Sequence, residues 1–215
     1  MKGVFHDTFT SLRILNPSVL HPSLNTVMFD NLATKSDKNS TSNQDSSTIF
    51  LSINRYERKK NIALAIEAFE HLLKKQNQKK CDSLKLVIAG GYDLRVPENV
   101  EYHSELKTMA EKAGIGSQVE FLQSPSDQTK VELLKNSDCL LYTPSGEHFG
   151  IVPIEAMYNK LPVIAVNDGG PMETVVDGET GFLKRSVHVL LSKLYLNVTL
   201  ILSKSHLNEY YILIV

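Results

Sequence analysis

Cys139-Leu140-Leu141-Tyr142-Thr143-Pro144-Ser145-Gly146-Glu147-His148-Phe149-Gly150-Ile151-Val152-Pro153-Ile154-Glu155-Ala156-Met157-Tyr158 is a strand, a loop and a helix written in succession. Cys139 to Tyr142 has the length and apolar character of a strand covered on both faces. Pro153 would break a helix interior but is tolerated in a first turn, so the helix opens near Ile151 and runs to Tyr158. Pro162 to Val166 is a further short apolar run, and a buried strand on each side of a helix is the unit of a parallel sheet.

The same alternation extends upstream. Ile49 to Ile53 is a buried strand, and Asn61 to Leu73 places Ile62, Ala65, Ile66, Phe69, Leu72 and Leu73 on one helical face. Leu84 to Ala89 is a second strand ending at Gly90-Gly91, Glu98 to Ala113 a helix, Gln118 to Leu122 a third strand and Asp127 to Asn136 another helix. Repeated strand and helix predict an α/β fold, a Rossmann-like open parallel sheet with right-handed crossovers. Ligands of such sheets bind beyond the carboxyl ends of the strands, so the loops that follow strands are where chemistry is expected.

The flanks read differently. Residues 1–48 are expected to be a connecting segment: Pro17 and Pro22 interrupt it, and Ser36 to Thr48 is too polar to offset its ordering entropy. The apolar run within residues 184–215 is interrupted by Lys193 and so falls short of a clean membrane span. The 215 residues suffice for one sizeable domain. Lys and Arg number 23 against 24 Asp and Glu, a balance that gives no support for a nucleic-acid partner. Cys81 and Cys139, with no ligand spacing to the seven histidines, argue against a disulfide framework or a metal site. Residues Met1 to Asp7 hold no secretory apolar run, and a reducing, cytosol-facing location is expected. The sequons at Asn39 and Asn197 match a pattern common by chance.

Three post-strand loops carry residues with chemistry. In Asn54 to Asn61, Arg55, Arg58, Lys59 and Lys60 lie between a strand and a helix, either a solvated charge run or a set of cations for a diphosphate. In Gly90-Gly91-Tyr92-Asp93 the glycines allow a ligand to approach the backbone or simply make a turn; no dinucleotide or P-loop glycine fingerprint occurs. In Thr143 to Gly150 the loop leads into the helix carrying Glu155. Its first amides, around Gly150, Ile151 and Val152, suit a phosphate, and Glu155 could accept ribose hydroxyls, while Glu147 sits on the loop. As an isolated pair, Glu147 and Glu155 read more readily as a surface carboxylate and a helix-starting carboxylate than as ligand groups. Asp168-Gly169-Gly170 reads as a turn and Glu173 as a helix-start carboxylate.

Glu147 and Glu155, preceded by Arg55 to Lys60 and followed by Gly169-Gly170-Pro171-Met172-Glu173, resemble the retaining glycosyltransferases of GT-B architecture, family 4. Ser52 to Asn61, Val87 to Asp93 and Leu141 to Glu155 resemble more narrowly those that build dolichol-linked oligosaccharide, over about Val4 to Leu183. The resemblance implies the C-terminal, nucleotide-sugar-binding domain of such an enzyme over residues 49–183, followed by a divergent tail over 184–215. It implies GDP-mannose as substrate and donor, no metal and no other cofactor. The implied acceptor is dolichol-diphosphate-linked Man-GlcNAc2, mannosylated α-1,3 or α-1,6 at the cytosolic face of the endoplasmic reticulum membrane in protein N-glycosylation. It further implies that Arg55 and Lys60 bind the diphosphate, Glu155 the ribose, and Glu147, as the catalytic group, the mannose. Gly91 and the backbone from His148 through Phe149, Gly150 and Ile151 to Val152 would line the donor, with Gln123 and Ser124 near the guanine. The family's N-terminal acceptor domain has no counterpart in this sequence. Two classes are therefore expected: the donor half of a mannosyltransferase, or a truncated, inactive form that only binds a GDP-sugar or pairs with full-length enzyme or other dolichol-pathway transferases. Donor binding without transfer is the expectation.

Overall fold

The computed structural model describes residues 6–12, 14, 15, 18, 20, 22–36, 47–76 and 81–184. The polar stretch 37–46 and the tail from 185 onward lie outside the described residues, as do the expectations placed on them.

Six strands run in one direction: β1 (Thr48–Ile53), β2 (Leu84–Gly90), β3 (Val119–Gln123), β4 (Cys139–Tyr142), β5 (Val163–Val166) and β6 (Gly181–Lys184). The helices between them are α2 (Ala63–Lys74), α3 (Pro97–Lys112), α4 (Asp127–Asn136), α5 (Ile151–Tyr158) and the single turn α6 (Pro171–Thr174), with α1 (Thr26–Ser36) ahead of the sheet. The strand order is β3-β2-β1-β4-β5-β6, the open parallel α/β sheet that the alternation predicts. Strand order reverses between β1 and β4, and a crevice opens at the carboxyl ends there.

Alternation along each strand divides the core. Phe50, Leu86, Ile88, Leu141 and Ile164 point to the face covered by Ile66, Phe69 and Leu72 of α2 and Leu106 of α3. Leu51, Val87, Ala89, Leu140, Val163 and Ala165 point to the other, against Val131 and Leu134 of α4 and Ala156 and Met157 of α5. Both faces are therefore buried, which is why the strands read as continuous apolar runs.

The segment read as a connector holds α1. Asn25 caps it, its side chain accepting the Met28 amide at 3.0 Å. Phe29 is buried in the second core cluster with residues of α4 and α5, and its ring meets Tyr158 edge-on at 6.0 Å. The Tyr158 hydroxyl donates to Asp30 at 2.8 Å. Phe29, with Met28 and Leu32 packed against the same cluster, and the Tyr158 hydrogen bond thus bind α1 to the domain. Strand β6 is an addition to the elements read from sequence, and the turn α6 carries Glu173 in its first turn, in line with its reading as a helix-start carboxylate.

Candidate functional site

Two loops meet at the switch between β1 and β4. The first leaves β1 at Asn54, whose backbone passes so close to β2 that a Cβ on Gly90 would stand 1.8 Å from the Asn54 carbonyl oxygen. Gly90 therefore serves the approach of two strand ends. The chain then makes a 3-10 turn over Arg58–Lys60 and leaves it through Asn61 in a left-handed conformation, φ 48°. This turn sorts the basic run. Arg58 points away to Glu101 and Glu105 of α3, its guanidinium 5.7 Å from the Tyr102 ring centre, and its amide is held by Glu98 at 2.9 Å. Lys59 pairs with Glu57 at 3.1 Å. Lys60 is buried, its carbonyl accepting the Thr143 hydroxyl at 2.9 Å across the switch, and its ammonium pairs with Glu147. Arg55 stays exposed over the crevice, paired with Glu57 at 2.8 Å.

The second loop follows β4. Gly150 caps α5 with φ 75°, and a Cβ there would lie 3.3 Å from the Tyr142 hydroxyl. A positive φ and an aromatic floor together require glycine. Because Gly150 has no side chain, the first amides of α5 receive no side-chain cap. Burial, then the Glu147 charge, raise the Tyr142 hydroxyl above the ordinary tyrosine range, keeping it a neutral hydrogen-bonding group. Glu147 itself is held by the turn after β5. The Gly170 amide donates to the Glu147 carbonyl at 2.6 Å, and the Gly146 amide to Asp168 at 2.9 Å. A Cβ on Gly169 would fall 2.4 Å from the Glu147 oxygen. The Asp168-Gly169-Gly170 turn is thus a brace for the loop that carries Glu147.

These loops enclose a cleft of about 220 Å³ lined by Asn54, Arg55, Lys60, Gly91, Glu147 and the first residues of α5, Ile151 and Val152, with Tyr142 as its floor. Of the residues singled out in the sequence, Arg55, Lys60, Gly91, Glu147, Ile151 and Val152 are brought together there. Glu155 is buried one turn further along α5, on the face shared with Ile151 and Val152. Ser124 and His148 are outside the lining. Ser124 has φ 47°, and its hydroxyl donates to the Tyr92 carbonyl at 2.9 Å while accepting the Tyr92 amide at 3.0 Å, tying the β3 loop to the β2 loop. His148 is exposed and Phe149 half-buried beside the glycine brace. Sequence reading passed over Lys130 of α4, whose ammonium reaches Glu155 at 2.7 Å. It also passed over Tyr142, for a buried strand tyrosine carries no signal of its own. Among the described residues no group of three or more His, Cys, Asp or Glu could hold a metal ion, and no helix is long and apolar enough to cross a membrane.

The sequence pattern of glycosyl transferases group 1 matches residues 33–193, a span that includes every element around this cleft. The chain belongs to the group 1 glycosyltransferases. Among curated relatives, this group 1 chain is 49% identical over 181 residues to the alpha-1,3/1,6-mannosyltransferase ALG2 of Homo sapiens, covering 84% of this chain and 43% of that protein. It is 46% identical over 194 residues to the protein of the same name from Dictyostelium discoideum, covering 84% and 46%. The chain therefore spans less than half the length of the curated relatives it matches. Among solved structures, a sucrose-phosphate synthase from Thermosynechococcus elongatus superposes with TM-score 0.74 at 20% identity, over 96% of this chain and 50% of that one. The C-terminal domain of the group 1 glycosyltransferase LpcC from Francisella tularensis superposes with TM-score 0.66 at 21% identity, over 88% of this chain and 94% of that one. At these identities the likeness concerns the fold.

Proposed function

We propose that this cleft binds GDP-mannose and serves the transfer of mannose, in α-1,3 or α-1,6 linkage, to dolichol-diphosphate-linked Man-GlcNAc2. The observation that carries the reading is the convergence of Lys60, Arg55 and the uncapped start of α5 on one cleft at the switch point. Departure of a diphosphate from a sugar builds negative charge on the leaving group and positive charge on the ring. Lys60, Arg55 and the α5 amides are placed for the first, and Glu147 for the second. The resemblance to mannosyltransferases supplies the sugar and the base, and 49% identity to an alpha-1,3/1,6-mannosyltransferase supports the sugar. The backbone from His148 to Val152 would face the phosphates and Glu155 the ribose. Ser124, whose hydroxyl is engaged by Tyr92, is left with its carbonyl for a base. No metal is assigned a role. The cytosolic face of the endoplasmic reticulum membrane, and association with full-length enzyme or other dolichol-pathway transferases, belong to the same proposal.

Thermal melting with nucleotides tests it. GDP should raise the melting temperature more than UDP, and Lys60→Ala should abolish the shift. Equal shifts with both nucleotides would overturn the guanine assignment. A shift that survives Lys60→Ala would overturn the placement of the diphosphate. Transfer is tested with radiolabelled GDP-mannose and the lipid-linked acceptor, where label reaching the acceptor from GDP-glucose instead would refute the donor.

A further inference from the structure

We propose that Lys130 is a positioning residue of this site, holding the Glu155 carboxylate aimed so that it can take the hydroxyls of a nucleoside diphosphate's ribose. The inference rests on the donor-site reading above and names a residue outside the sequence motifs that suggested it. Glu155 lies on α5 and Lys130 on α4, so their ion pair joins two helices that cover the same face of the sheet. Both side chains are largely withdrawn from water, with relative exposures of 10% for Glu155 and 23% for Lys130. The ammonium donates to Oε1 at 2.7 Å and lies 2.6 Å from Oε2, so it fixes both carboxylate oxygens. A carboxylate has about four acceptor sites, and those the ammonium leaves unfilled call for another donor.

Position gives that donor a direction. Ile151 and Val152 line the cleft, and Glu155 follows them by four and three residues on the same helical face. A ligand with its diphosphate at the α5 amides would set its next hydroxyls about one turn along that face. Lys130 fixes the Glu155 carboxylate there and leaves its remaining acceptor sites for a vicinal diol. Val131 and Leu134, one and four residues after Lys130, are buried in the core, so the ammonium is carried on an anchored helix.

Binding of GDP and of 2′,3′-dideoxy-GDP to the full chain by calorimetry tests this. The wild-type chain should prefer GDP by about tenfold or more, the scale of one charge-assisted hydrogen-bond pair. Lys130→Met, which keeps the stem, should bring the two ligands to near parity while dideoxy-GDP affinity holds within about threefold. A purely structural Lys130, or one touching phosphate or base directly, would weaken both ligands equally and leave the preference intact, and that result overturns the proposal. Should Lys130→Met fail to fold, Lys130→Arg and the pair Glu155→Gln with Lys130→Met decide. The arginine must retain a preference, and in the Glu155→Gln background the second substitution must not change the ratio further. A wild-type chain that binds GDP and dideoxy-GDP alike overturns the assignment of Glu155 to ribose and the proposal with it. One that binds neither overturns the donor-site reading itself.

Discussion

Replacing Gly170 with alanine isolates the brace on the Glu147 loop. Gly170 has φ −55° and ψ −39°, a helical conformation that alanine adopts without strain. Taken alone, the change should stabilise the chain by about 0.4–1 kcal/mol through the unfolded state. The added Cβ, however, would stand 2.1 Å from the Phe149 oxygen, 2.2 Å from its carbonyl carbon and 2.4 Å from its Cα. All three are backbone atoms, so no rotamer relieves the clash. The Phe149 peptide must retreat by about 1 Å to reach ordinary contact. That movement strains the 2.6 Å hydrogen bond from the Gly170 amide to Glu147. Overpacking costs about 1–3 kcal/mol and the hydrogen bond about 1 kcal/mol. Less the entropic gain, about 2 kcal/mol of stability should be lost, or about 4–8 °C in melting temperature for a chain of this size. Because Glu147 and the start of α5 shift with the loop, GDP affinity should fall by about tenfold or more. Gly178→Ala is the control: it has φ 88° with nothing within 4 Å of the added Cβ, so its cost is the left-handed strain of about 1–2 kcal/mol. It should lower the melting temperature and leave GDP binding untouched. Calorimetric titration and melting of both variants give the comparison. A Gly170→Ala chain that binds GDP as tightly as wild type would show that the loop is not positioned by this contact.

Phe29→Ala removes the aromatic anchor of α1 from among Val131, Leu134, Ala156 and Met157, and should cost about 3–5 kcal/mol in urea unfolding; a loss under about 1 kcal/mol would mean that α1 is not part of the cooperative unit. His103 is packed against Tyr56, Tyr92 and Phe121, accepts a hydrogen bond from Gln123 at 3.2 Å on a neutral ring, and is held below the ordinary histidine range by burial and then by Lys107. Since the unfolded chain binds that proton more readily, this stability is fully present above about pH 6.5 and is lost as pH falls toward the folded value, so unfolding titrations should show a decline there that His103→Phe removes. Glu147→Gln removes the charge that engages Lys60 and should tighten GDP binding by about three- to tenfold while depressing transfer; weaker binding would place the diphosphate elsewhere.

How much of this was legible in the sequence depends on range. The strands at Cys139–Tyr142 and Thr48–Ile53 and the helix over Ala63–Lys74 follow from local patterns of apolar residues, and the α/β sheet follows from their alternation. Helix α1 was missed because Met28, Phe29 and Leu32 make too thin an apolar stripe beside the prolines, although Asn25 was a readable cap. A run of four cations cannot say which of them face a ligand. The 3-10 turn decides that, sending Arg58 to α3 and leaving Lys60 inside. Gly90 and Gly170 each looked like ordinary turn residues, since the backbone each admits, at Asn54 and Phe149, is distant in sequence. Lys130 was invisible for the same reason: on a polar helix it is one charge among several until α5 packs beside it.

The site's cations and carboxylates are matched. Arg55, Lys60 and Lys130 pair with Glu57, Glu147 and Glu155 in turn. A cleft that stored buried lysines without partners would pay their desolvation in full, and the pairing offsets it. The same pairing makes the site selective. A phosphate group that draws Lys60 and Arg55 toward itself weakens their contacts with Glu147 and Glu57; Glu57 keeps Lys59, while Glu147 then needs a donor of its own. Inorganic pyrophosphate brings only acceptors and leaves Glu147 exposed to like charge. A nucleotide sugar brings phosphate oxygens for Lys60 and Arg55 together with hydroxyls for Glu147, while Lys130 stays with Glu155. Discrimination against a ligand that satisfies only one half follows from the cost of leaving the other unpaired. The paired charges are in this sense a template of a ligand carrying both kinds of group, which is the chemical outline of a sugar bound to a nucleoside diphosphate.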